Sequence, residues 1–350
     1  MQAAGKETGP RRRVMLAGHF APGSLERSYR TAFESLGCEV LSFDFVLAVD
    51  KYCRLGRVGR LFNRFVPLEA WIRKANRDLV IRAQEFGPEY LLTFGQYSIL
   101  AGALAQIRAS VKARLIHIWP DTLLHLRNDL IACLPLLDLF ATYSQASVEQ
   151  LQKLGARDVA WIPLAGDPAM HAEVECSEAE RAVYGADVTF IGGWRPEREA
   201  VLSKLESFEL KIWGPGWGRR CRGNKSLLKA WQGRSLYEAE FGKAVSSSKI
   251  NLNIIDPLNY PAANMRFFEV PVAGGLQISS PCPEMENEFL DGEHLYYYKD
   301  TRQLKSLVEM LIKDTPLRSK VAKAAQGRVL AGHTYQERAN KIMQHCEKLP

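Results

Sequence analysis

The stretch from Asn264 to Ser280, NMRFFEVPVAGGLQISS, decides the fold. Apolar residues fill most of its first ten positions, the pair Gly274-Gly275 breaks the run, and LQIS resumes as a short strand, which is one helix-to-strand step of an α/β unit. Two charges, Arg266 and Glu269, interrupt the apolar run at a spacing that places them on adjacent turns of one helix face. A plain intrahelical ion pair at that spacing is worth only about 0.2–0.5 kcal/mol.

Outward from this stretch the same alternation fills the chain. Short apolar strands are expected at Arg13–Gly18, Glu39–Phe45, Tyr90–Phe94, Arg114–Trp119 and Leu139–Tyr143. Helical segments over Ser24–Leu36, near Ile99–Ala109 and near Leu123–Leu134 separate them. After a polar stretch to about Ala186 the pattern restarts: the strand Val188–Ile191, a helix near Glu197–Leu205, the strand Leu210–Trp213, a helix near Leu236–Val245 and the strand Ile250–Ile255. Strands alternating with helices of this length give mostly parallel, doubly wound sheets. The expected fold is therefore α/β, with two facing Rossmann-like domains and a cleft between them. The boundaries read as a disordered leader over 1–12, an N-terminal Rossmann-like domain over 13–170, a C-terminal Rossmann-like domain over 185–330, and a C-terminal helix over 331–350 that can return to the first domain.

Composition excludes several classes. The 350 residues suit two ordinary domains, and no run approaches the length of a membrane span. The seven cysteines are scattered with no paired spacing, which points to a reducing cytoplasm. The net charge of +7 is concentrated in residues 1–166, which hold 21 Lys+Arg against 15 Asp+Glu. No nucleic-acid-binding module accompanies that excess, so no nucleic-acid partner is expected. The chain contains no HExxH, GxSxG, P-loop, GxGxxG or zinc spacing, so the oxidoreductase and P-loop readings fall away.

In doubly wound sheets ligands bind beyond the carboxyl ends of the strands. A helix starting at Asn264 just after a strand would present free N–H groups and a positive dipole to a diphosphate there. Arg266 would add a charge-assisted donor, and Glu269 could accept hydrogen bonds from a ribose diol. Gly274 and Gly275 serve as a helix C-cap and leave backbone open. Gly193, directly after a strand, and Arg198 in the next helix suit a phosphate. Gly214 in GPGWG offers backbone to a base, on which Trp213 or Trp217 could stack, although Trp213 equally suits the core.

NMRFFEVPVAGGLQIS, with EFLDGEHLYYYKDTRQL and GHTYQERANKI beyond it, resembles the C-terminal half of the CgeB-like glycosyltransferases of GT-B architecture, whose C-terminal domain is of the glycosyl transferases group 1 type. FIGGWRPERE (190–199) and LKIWGPGW (210–217) resemble earlier loops of that half, and GPEYLLTFG (87–95) with IWPD (118–121) carries a weaker likeness in the N-terminal half. The resemblance implies a nucleotide-diphosphate sugar donor held by the C-terminal domain with no cofactor or essential metal. It also implies a glycan, lipid-linked or small-molecule acceptor and a role in bacterial glycan or glycoconjugate synthesis. Many retaining GT-B enzymes carry two glutamates eight positions apart; if Glu269 is the second, Pro261 occupies the first position, and the motif does not assign stereochemistry. A nucleotide-sugar 2-epimerase and a non-catalytic binding or scaffold protein of the same fold are the alternatives.

On the acceptor side a catalytic base is expected from loops at the strand ends. Asp121, after RLIHIWP, and His19, in AGHFAPG, are the two candidates; Asp44 and Asp50 are weaker ones, and His117 reads as structural. Finally, over Lys51–Lys74 a helix would place Leu55, Val58, Leu61, Phe62, Phe65 and Val66 on one face, with Arg54, Arg57, Arg60 and Arg64 gathered beside it. Such a helix either packs the sheet or rests on the anionic cytoplasmic face of a membrane.

Overall fold

The computed structural model describes residues 11–52, 56–65 and 69–349. The chain forms two units, one of residues up to Ile162 together with those from Ala339 on, the other of Pro163–Arg338.

The first unit is built on a six-stranded sheet in the order β2-β1-β3-β4-β5-β6, from β1 (Arg13–Gly18), β2 (Glu39–Asp44), β3 (Tyr90–Phe94), β4 (Arg114–Trp119), β5 (Leu139–Thr142) and β6 (Val159–Trp161). Every pairing is parallel. Helices cover the sheet, so β3 and β5 are buried along their whole length, as parallel strands must be. His117 of β4 lies in this core, where Thr93 Oγ1 meets its Nδ1 at 2.7 Å, and burial pushes its pKa down to about 3. The residues after Ala339 return here: Glu347 pairs with Arg12 at 2.6 Å, and His345 Nε2 lies 2.5 Å from Asp158.

The second unit holds a five-stranded parallel sheet in the order β11-β10-β9-β7-β8, from β7 (Val188–Ile191), β8 (Leu210–Trp213), β9 (Ile250–Asn253), β10 (Gln277–Ser279) and β11 (Tyr296–Tyr297). Strand alternation divides its core. Val188 and Phe190 join Leu252, Ile278 and the buried face of the helix Thr301–Lys313. Ile191 joins Trp213, Phe241, Val245 and Val270 in a separate cluster.

Local chemistry shifts several boundaries. The helix expected near Leu123–Leu134 is replaced by short turns at Leu123–His125, Asn128–Ile131 and Leu134–Leu136. Thr122 and Asp129 bond neighbouring amides there, and Pro135 denies a donor, each competing with a continuous helix. The helix expected from Ile99 begins at Ala101, because Asn76 Oδ1 takes the Leu100 amide at 2.8 Å.

Arg338 is 0% exposed although charged. Its Nε donates to the Pro163 carbonyl at 2.8 Å and its Nη atoms to the carbonyls of Leu164 at 3.2 Å and Gly332 at 3.1 Å. These bonds tie together the two points where the chain passes between units. Arg338→Met keeps the bulk but leaves three carbonyls unpaired, each a desolvation penalty of about 1–3 kcal/mol. Urea unfolding should therefore show the transition of the second unit displaced to lower denaturant by at least about 2 kcal/mol; an unmoved midpoint contradicts this account.

Candidate functional site

Most of the residues singled out in the opening stretch meet in the second unit. Arg266 opens the helix Arg266–Val272. Its Nε donates to the carbonyl of Ile191, the last residue of β7, at 3.1 Å, and its guanidinium lies over the Phe241 ring, 4.7 Å from the centroid. Nη1 pairs with Glu269 Oε2, the i,i+3 contact that helical spacing allows. Glu269 is 1% exposed, and its other oxygen lies 3.7 Å from Nε2 of His171. A carboxylate so buried needs compensation, since desolvation alone favours its neutral form. His171 is buried too, standing edge-on to Phe241 with centroids 5.0 Å apart. Its Nδ1 has no hydrogen-bond partner among the described residues.

The start of this helix is already engaged. Asn264 Oδ1 accepts the Phe267 amide at 3.1 Å, while its Nδ2 donates to Asn253 of β9 at 2.8 Å. The amides of Phe268 and Glu269 both go to the Met265 carbonyl at 3.0 Å. Those three N–H groups are therefore not open to a ligand, which corrects the expectation from sequence: Asn264 is itself the cap. Accessibility lies instead in the Arg266 side chain, 31% exposed.

Gly274 and Gly275 close the same helix. Their amides reach Pro271 at 2.9 Å and Val270 at 3.1 Å, with Gly274 at φ +74°, a Schellman arrangement. A Cβ on Gly275 would stand 2.4 Å from Val245 Cγ1, so close packing fixes that position as well. In the loop after β7, the Gly193 carbonyl accepts Arg198 Nη1 at 2.7 Å. The Arg198 guanidinium lies 5.6 Å from the Phe190 centroid, and burial lowers its pKa. A Cβ on Gly214 would fall 2.2 Å from the Gly192 carbonyl oxygen, so the loops after β7 and β8 touch backbone to backbone. Trp213 and Trp217 are 2% and 0% exposed. Trp213 stacks on Tyr184, and Trp217 Nε1 donates to the Gly192 carbonyl at 2.9 Å. Neither ring has a free face for a base, so the stacking expectation is corrected: both are core.

In the first unit, His19 and Asp121 follow β1 and β4 as expected, but each has its own partner. His19 Nδ1 lies 3.2 Å from Asp44 Oδ2, and Asp44 also accepts the Phe20 and Leu47 amides. Asp121 Oδ2 meets His125 Nδ1 at 2.8 Å and Gln96 Nε2 at 3.3 Å, while Oδ1 accepts the Thr122 amide at 2.7 Å. Asp50 lies within the helix Phe45–Lys51. Sequence reading passed over His171 and Glu26. His171 sits in a polar stretch with no motif around it, whereas Glu26, second in its helix after a glycine-bearing turn, carried a positional signal. Among the described residues no three His, Cys, Asp or Glu side chains gather as a metal would require, and no helix is long and apolar enough to cross a membrane.

The model for glycosyl transferase-like proteins matches residues 195–344, the segment that contains Arg198, Gly214, Asn264, Arg266, Glu269, Gly274 and Gly275. No curated protein matches the sequence. Among solved structures, the sucrose-phosphate synthase (tll1590) from Thermosynechococcus elongatus is 13% identical, with a TM-score of 0.67 over 97% of this chain and 99% of that one. A glycosyltransferase from Rickettsia africae ESF-5 is 11% identical, with a TM-score of 0.66 over 97% and 98%. Anabaena Alr3699/HepE, in complex with UDP and glucose, is 12% identical, with a TM-score of 0.62 over 97% and 100%. The chain has the fold of the GT-B glycosyltransferases.

Proposed function

We propose that the protein is a glycosyltransferase that moves a sugar from a nucleotide-diphosphate sugar to an acceptor hydroxyl with no essential metal. The observation that carries this reading is the Arg266–Glu269 pair beside Ile191, the last residue of β7, within the segment that matches the glycosyl transferase-like model. On donor binding, Arg266 turns its guanidinium to the diphosphate and Glu269 accepts the ribose hydroxyls, with His171 left to compensate the carboxylate. Asn264 holds the helix in register with β9. Gly193, Arg198, Gly214, Gly274 and Gly275 shape the surrounding backbone, and Trp213 supports it from the core. The complex of Anabaena Alr3699/HepE with UDP and glucose makes uridine diphosphate sugars the first donors to test.

The first unit takes the acceptor, a glycan, a lipid-linked sugar or a small molecule of a bacterial glycan pathway at the cytoplasmic face. As the acceptor oxygen bonds the anomeric carbon, the nucleotide diphosphate leaves with the electron pair of the broken bond. The acceptor proton passes to a base at the strand ends, His19 oriented by Asp44 or Asp121 oriented by His125. An anionic membrane surface fits the helix Gly56–Phe65, which leaves Val58, Leu61, Phe62 and Phe65 exposed at 71, 60, 50 and 74%. Arg54, Leu55 and Val66, and the side chains of Arg57, Arg60 and Arg64, lie outside the described residues.

Three measurements test this reading. In calorimetry, Arg266→Ala should weaken UDP by about 1.5–3 kcal/mol, the range for a hydrogen bond to a charged group, and uridine far less. Glu269→Ala should weaken both by at least about 1.5 kcal/mol. Because Arg266→Ala strands a buried carboxylate, the Arg266→Ala/Glu269→Gln double variant serves as the control for folding; unchanged UDP affinity in a folded variant removes the grip.

Asp121→Asn or His19→Ala should lower turnover about a hundredfold or more with donor affinity retained, since a general base acts on the transition state. Activity should survive EDTA, and loss of activity in EDTA contradicts the metal-free scheme.

In vesicle co-sedimentation, the protein should bind anionic and not neutral vesicles at low salt, with about 1 kcal/mol of attraction per arginine. Changing Arg54, Arg57, Arg60 and Arg64 to glutamine should abolish that binding, as should salt that screens it. A wild-type protein that stays in the supernatant removes the membrane from the scheme.

A further inference from the structure

The loop between β1 and the helix Leu25–Ser35 buries a carboxyl group that the scheme above does not use. Glu26 is 6% exposed in the first turn of that helix. Its Oε1 accepts the His19 amide at 3.2 Å, and Tyr97, in the loop after β3, stands beside the same carboxyl group. Burial raises the pKa of Glu26, and burial with the Glu26 charge raises that of Tyr97. Gly18 makes room for this arrangement: a Cβ there would stand 2.5 Å from Glu26 Cγ and 2.8 Å from its Oε1.

This carboxyl faces a cavity of about 310 Å³ at the carboxyl ends of β1, β3 and β4. Glu26, Gln96 and Tyr97 supply its polar wall, and Leu25, Phe94 and Pro120 its apolar one. The volume is at the small end of ligand pockets, enough for one ring and not for an extended chain. Its lining contains no Lys, Arg or His; around it stand His19, whose ring centroid is 6.5 Å from that of Tyr97, and the Asp121 carboxylate, 3.3 Å from the Gln96 amide. A wall that pairs apolar side chains with a carboxyl, a phenol and an amide suits a pyranose, which offers an apolar face and hydroxyl donors. A carboxylate in a wall that carries no Lys or Arg repels a phosphate ester.

We propose that this cavity binds a single neutral sugar ring through Glu26, Tyr97 and Gln96, and that it rejects sugar phosphates. Applied to the transfer reaction, which rests on the glycosyltransferase reading, the cavity holds the acceptor's terminal sugar, and Glu26 orients one of its hydroxyls as a positioning residue.

The test is saturation-transfer NMR on the full chain with methyl β-glucoside, methyl β-galactoside, methyl α-mannoside and glucose 6-phosphate, each with and without saturating UDP. At least one neutral glycoside should bind, and glucose 6-phosphate should bind at least about tenfold more weakly, as expected for losing one charged hydrogen bond. Glu26→Gln, close to isosteric, should weaken the bound glycoside about tenfold. Gln96→Trp, at an exposed position, should fill the cavity mouth and abolish binding, while neither variant changes the thermal shift given by UDP. The proposal is overturned if no neutral glycoside binds, if glucose 6-phosphate binds as well as they do, or if Gln96→Trp binds like the wild type. Failure of UDP to bind any of these proteins would instead count against the donor site and leave the glycoside result standing.

Discussion

Parallel pairing in both sheets is the constraint on which the rest depends. With every strand running the same way and both faces under helices, interior positions accept little besides apolar side chains, and exceptions such as His117 are neutral and hydrogen-bonded. Chemistry is displaced to the loops beyond the strands' carboxyl ends. Ile191 and Asn253 end β7 and β9 and hold Arg266 and Asn264 through hydrogen bonds. Gly18 ends β1 and gives the Glu26 side chain its space. In both units the residues suited to bind polar ligands are fixed by the last residue of a buried strand, so core packing and site geometry are set together.

The electrostatics of the Arg266–Glu269 pair follow from the same layout. An exposed ion pair at this spacing contributes a few tenths of a kcal/mol and is screened by salt. Here the carboxylate is buried and the guanidinium is partly exposed, with Phe241 beneath it and the Ile191 carbonyl on its Nε. The arginine is therefore held by Nε on the Ile191 carbonyl, by Nη1 on Glu269 and by the Phe241 ring. His171 stands 3.7 Å from the other carboxylate oxygen and is itself buried.

Much of this architecture is legible in the sequence. Short apolar runs bounded by glycine or proline mark the positions of β1, β3, β4, β7 and β8, because burial on both faces leaves a strong signal. β6 and β11, three and two residues long, were not legible: strands this short carry no period. The capping box of Ser177 and Glu180, which opens the helix Glu178–Tyr184, was present as an S-x-x-E pattern but was masked by the polar residues around it. Arg266 and Glu269 stood out as charges in an apolar run. Glu26 carries only its position after a glycine-bearing turn, since an acidic residue in a first helical turn is ordinary, and the missing Cβ of Gly18 is what lets it fold inward. The pairing of His19 with Asp44 and of Asp121 with Gln96 is beyond sequence, because these partners reach them from neighbouring strand ends.

The first unit is discontinuous along the chain. Its sheet is complete by Trp161, yet Glu347, His345 and Leu349 reach back to Arg12, Asp158 and Arg114. During synthesis the second unit must therefore emerge in full before the first can make its final contacts. The domain that begins first finishes last. Until then the surface that these last residues cover in the finished protein stays open to water.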